Sequence, residues 1–123
     1  MRKALFYVLS IALLSLYALP SRAQDLTDLQ GIQYKLDGAL GQAFEKSSSA
    51  QLDSIITTLR GLQPQNNIVK QWLAYGLMNK SIYLLQTHSP EVSSVLKEGI
   101  ALLEGMEKKN SEDYALLASL QSL

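Results

Sequence analysis

Cysteine is absent from the 123 residues of this chain. Its absence rules out disulfide staples, and with them a lipid-modified amino terminus of the bacterial lipoprotein kind, in which the acylated residue is a cysteine. Histidine occurs once, as His88 in a turn beside Pro90. A zinc site would need further ligands, and neither a cysteine nor a second histidine exists to supply them, so His88 reads as a solvent-exposed turn residue and no metal is expected. The glycines stand singly inside helical patterns, so no phosphate-cradling loop is present and no cofactor is expected. The serines sit in caps and turns, without the strand-turn-helix context of a nucleophile elbow. No run of four or more residues has the alternation and β-branched or aromatic character of a strand.

A one-signed charge pattern is also missing. The whole chain carries eleven basic and eleven acidic residues. Three of the basic ones, Arg2, Lys3 and Arg22, lie in a leader-like segment; without it eight basic residues face eleven acidic ones, a net charge of −3. Lys108-Lys109 is the only basic pair after that segment. There is no basic stripe for nucleic acid and no basic amphipathic helix for a membrane surface.

What is present begins with that leader. Arg2 and Lys3 precede an uncharged run from Ala4 to Leu19, then Pro20-Ser21-Arg22-Ala23. Ser21 and Ala23 put small side chains at the −3 and −1 positions of a signal-peptidase site. Residues 1–23 therefore read as a secretory signal peptide cleaved before Gln24. The alternative is a retained anchor, but a spanning helix wants about 20 apolar residues and this run is shorter. Residues 24–123 are then one exported domain, periplasmic or extracellular, with no membrane segment after cleavage and with core packing alone to hold it together.

Helical periodicity fills that domain and predicts five helices. The first spans Leu26 to Lys46, with Leu26, Leu29, Ile32, Leu36, Leu40, Ala43 and Phe44 on one face. Gly31, Gly38 and Gly41 lie inside it, either as points of close helix approach or as local weakness. The second runs from Ala50 to Leu62 after the Ser47-Ser48-Ser49 break, and Gln63 to Asn67 form a turn around Pro64. The third covers Ile68 to Thr87 and is apolar on more than one side, which marks the central helix. Trp72 on it reads as buried core. Ser89 as N-cap and Pro90 as first helical residue open the fourth, to Lys108, with Lys108-Lys109 suiting its C-terminal dipole. The fifth starts near Ser111 and carries Tyr114, Leu116, Leu117, Leu120 and Leu123 with no stop signal. Its apolar strip suggests self-association through residues 111–123, a fold-back between the third and fourth helices, or a fragment of a longer chain.

No carboxylate constellation stands out. Asp25 and Asp28, and Glu112 and Asp113, open helices where the dipole favours them, while Glu104, Glu107 and Lys108 form a solvated face. Asn79-Lys80-Ser81 matches a glycosylation acceptor but falls mid-helix.

Helices alternating with short turns raise the question of a repeat. Trp72-x2-Tyr75-Gly76-x2-Asn79 resembles the opening of a tetratricopeptide first helix, keeping its Trp and Gly. Leu52-x3-Ile56-x2-Leu59-x4-Pro64 and Val92-x3-Leu96-x2-Gly99 have second-helix spacing with bulkier residues, and Lys109 to Ser119 resembles another first-helix opening. Trp72 and Tyr114 are 42 residues apart, whereas the family unit is 34; the excess is about one turn per helix. The chain also resembles short exported repeat proteins of bacterial envelopes. The resemblance implies an all-α stack of antiparallel helical hairpins, with first helices lining a groove for a protein or peptide partner. It points to Trp72, Tyr75, Asn79 and Tyr83 as a candidate ligand face, with core packing as the competing reading of Trp72 and the tyrosines, and the apolar strip of the fifth helix adds Tyr114, Leu117 and Leu120 to the candidate partner surface. The function expected is a non-catalytic interaction module, with an assembly role through the C-terminal helix as the alternative.

Overall fold

The computed structural model describes residues 29–123. The expected signal peptide, its cleavage site and the expected helix start at Leu26 lie outside them. The fold is all-α. Its helices are α1 (Ile32–Lys46), α2 (Ala50–Gly61), α3 (Asn67–Gln86), α4 (Val92–Glu104) and α5 (Ser111–Ser122).

Gly31 is the N-cap of α1 rather than an interior residue, with a φ of 69° that glycine adopts without a Cβ penalty. At the other end Ser47 is left-handed, and the Ser47 and Ser48 amides both donate to the Ala43 carbonyl. That closes α1 as glycine more often does. The Asn66 side chain caps α3 by accepting from the Val69 amide at 3.0 Å. Helix α2 ends under the Gln65 amide, whose Nε2 donates to the Leu59 and Leu62 carbonyls.

Helix α4 is shorter than expected at both ends. Pro90 and Glu91 form a turn, in which the Ser89 hydroxyl accepts from the Glu91 amide, and regular helix begins only at Val92. It stops at Glu104, and Met106 then turns inward to be buried. Lys109, not Lys108, serves this terminus, with its Nζ donating to the Glu104 and Met106 carbonyls at 3.3 Å each. A reciprocal capping box opens α5: the Asn110 side chain accepts from the Asp113 amide at 2.8 Å, and Asp113 accepts from the Asn110 amide at 2.9 Å. Asn110→Ala is expected to cost about 1 kcal/mol, read as a lower denaturation midpoint at unchanged slope.

Short connections fold each helix back on its predecessor. Helix α3 packs against all four others, as its all-round apolar character predicted. Helix α1 lies against α2 and α3, and α5 against α4 and α3, so α1, α3 and α5 adjoin in a row while α2 and α4 fill the gaps between them. Leu36, Leu52, Ile56, Leu59, Leu77, Leu103 and Leu120 are the large side chains most fully withdrawn from water, each contributing about 1.5–3 kcal/mol by burial.

Close approach occurs at two glycines, neither of them in α1. A Cβ at Gly76 of α3 would stand 3.2 Å from both Ile56 of α2 and Leu36 of α1. One at Gly99 of α4 would stand 3.2 Å from Leu120 of α5 and 3.6 Å from the Leu77 Cβ. At Gly38 and Gly41 no described atom lies within 4 Å, which leaves those two as locally weak helix. Ile56 of α2 is thus accommodated by a glycine on the facing helix.

Candidate functional site

The row of α1, α3 and α5 encloses a surface groove of about 310 Å³. Gln33 of α1 forms one wall; Gln71, Trp72, Tyr75 and Met78 of α3 form the floor; Glu112, Ala115, Leu116 and Ser119 of α5 form the other wall. The floor positions follow from helix geometry, since residues three and four apart share a face. The α3 core positions are Val69, Leu73, Gly76, Leu77 and Leu84. Trp72, one position before Leu73, is rotated about 100° away from it toward α5. Trp72 is therefore half-buried at the groove, a correction to its expected place in the core.

The aromatic floor is fixed by its neighbours. The Trp72 and Tyr75 rings meet edge to face, with centroids 5.6 Å apart and planes at 78°, a favoured aromatic geometry. The Tyr75 hydroxyl donates to the Asp37 carboxylate at 2.8 Å, and the Asn79 amide donates to the same oxygen at 3.2 Å. Partial burial, then the bond to Asp37, push the Tyr75 phenol above its ordinary range, against a smaller opposing effect of Gln33. Tyr75 therefore stays a neutral donor throughout the physiological range. Across the groove, the Gln71 amide approaches Glu112 at 3.4 Å.

The other candidate surface residues divide. Asn79 is buried and held by Asp37, Tyr83 is buried with its ring 5.5 Å from that of Phe44, and Leu120 is buried beneath Gly99. These three belong to packing and present no free surface. Leu117 is half-buried against the cluster of Ala74, Leu103, Met106, Leu116 and Leu120. Tyr114 is exposed but lies outside the groove, with the Lys109 ammonium 5.9 Å from its ring centre. Besides Trp72, only Tyr75 of these candidates lines the groove. Leu116 and Leu120, the core of the expected self-association strip, are both buried in the chain's own fold. Helix α5 is thus seated on α3 and α4, while Tyr114 and Leu123 of the same strip stay exposed.

Periodicity gave no signal for Gln33, Asp37, Gln71, Glu112 or Ser119, because polar residues on exposed faces look alike in sequence. A pairing of α1 with α5 across α3 would have singled them out. The acceptor motif at Asn79 is closed off in the folded chain, since Asn79 and Ser81 are both buried and Ser81 donates to the Leu77 carbonyl. His88 is exposed. Among the described residues no three His, Cys, Asp or Glu side chains gather as metal ligands, and no helix is long and apolar enough to cross a membrane. No protein-family model, curated protein or solved structure matches the chain.

Proposed function

We propose that this chain is an exported, non-catalytic interaction module that holds a segment of a partner protein in the groove formed by α1, α3 and α5. One observation carries the reading: a tryptophan that helix packing leaves partly exposed in a groove spanning three helices. Interfaces concentrate their binding energy in Trp, Tyr and Arg anchors seated in such pockets. The surrounding amides, hydroxyl and carboxylates can satisfy the backbone of an extended segment without any reactive group being needed. Two sequence features support the wider reading. The leader has the three parts of a signal peptide, which supports export to the periplasm or the cell exterior. The tetratricopeptide resemblance assigns the groove to alternate helices, and the groove lining comes from α1, α3 and α5.

Site-specific photocrosslinking tests this. A photoreactive phenylalanine analogue at Ser119, in the groove, is expected to give a discrete higher-mass adduct in intact cells. The same probe at Thr57, exposed on α2 away from the groove, is expected to give none. Equal adducts at both positions, or none at either, would contradict the proposal. Intact mass of the exported protein checks the leader, with a polypeptide beginning at Gln24 expected and a product retaining Leu5 to Leu19 contradicting it.

A further inference from the structure

We propose that the occupant of the groove is an extended peptide segment carrying a lysine or arginine, an inference that rests on the groove being the binding face. Charge makes the selection. Among the described residues Glu112 is the only charged side chain lining the groove, and it is anionic. Just outside the groove, exposed on α1, the Asp37 carboxylate accepts from the Tyr75 hydroxyl and the Asn79 amide. Among the described residues no cation lines the groove to neutralise Glu112.

Each kind of occupant meets this arrangement differently. An acidic segment would bring like charge against Glu112 and Asp37, which is unfavourable at short range. A wholly apolar segment would strip water from Glu112 and return nothing for it. A basic side chain answers both demands. Its cationic end is attracted to Glu112 and to the field of Asp37, and it lies against the rings of Trp72 and Tyr75, where a cation is favoured by the aromatic quadrupole. Its methylene stem and an apolar neighbour in the segment fit Met78, Ala115 and Leu116. Arginine suits the site better than lysine, because its planar group stacks on an aromatic face while donating to a carboxylate. A groove open along three helices suits an extended chain better than an isolated small cation.

The test is selection of a displayed random dodecapeptide library on the protein recovered after expression of the full-length sequence. Selected sequences are then resynthesised and titrated by fluorescence polarisation. Enrichment of Arg or Lys at a recurrent position is expected, with binding weakened at least tenfold by Glu112→Lys, several-fold by Glu112→Gln, and further by raised salt. Glu45→Gln, an exposed α1 carboxylate outside the groove, is expected to leave binding unchanged. Melting curves establish that each variant is folded. Acidic or uncharged winners whose binding still disappears in Trp72→Ala would overturn the basic-segment inference and leave the groove reading standing. Basic winners indifferent to both Trp72→Ala and Glu112→Lys would overturn both, as would a library with no enrichment over uncoated beads.

Discussion

Leu77→Ala is expected to remove about 3–5 kcal/mol of stability, the upper range for a leucine truncated in a rigid core. Leu77 is completely buried on the central helix, and its Cβ faces Gly99 of α4 near Leu120 of α5. The site cannot collapse to fill the space, because α3 is held by contacts with all four other helices. Domains of this size typically have about 5–15 kcal/mol in total, so the variant should melt more than ten degrees lower or fail to fold at 37 °C. Ile68→Ala, at the half-exposed second residue of the same helix, should change stability by about 0.5 kcal/mol or less. Equal melting temperatures for Leu77→Ala and the parent chain would mean that α3 is not the centre of the fold.

That central role was readable in advance, since a helix apolar on several sides has few other places to go. So were the helix count and the positions of α2, α3 and α5, because their apolar residues recur at helical spacing between clear breaks. The ends of α4 were not. Ser89-Pro90 has the composition of a helix start, yet the chain makes one further turn before regular helix, and Met106 leaves the helical path to reach the core. A tertiary demand for one buried side chain overrode local propensity there. The glycines show the same limit. Gly31, Gly38 and Gly41 cluster in the sequence, but the two that matter for packing, Gly76 and Gly99, are distinguished only by what faces them. The groove was half legible. Tyr75 and the aromatic character of α3 were visible. The polar wall residues became meaningful only when α1 and α5 were placed on either side of α3.

Trp72→Ala separates stability from recognition. A fully buried tryptophan would cost about 3–5 kcal/mol when truncated. Trp72 is partly exposed, faces the groove, and touches Tyr75 edge to face, so the expected loss is about 2–4 kcal/mol, in proportion to the area it hides. The folded variant should persist at 25 °C with native helical content. Its effect on binding should be larger in proportion, because an aromatic anchor at the centre of an interface typically contributes 2 kcal/mol or more. That corresponds to a drop of at least about thirtyfold in affinity. Loss of folding together with loss of binding would return Trp72 to the core. An unchanged affinity in a folded variant would remove the groove from the account.

The central claim is that α1, α3 and α5 together present the binding face. Titrating a selected peptide into the isotope-labelled protein and following the amide and indole resonances tests it most directly. The account predicts that the largest shifts fall on Gln33, the Trp72 indole, Tyr75, Glu112 and Ser119, with α2 and the outer face of α4 silent. Shifts concentrated on α2 and α4, or around Tyr34 on the exposed side of α1, would contradict it.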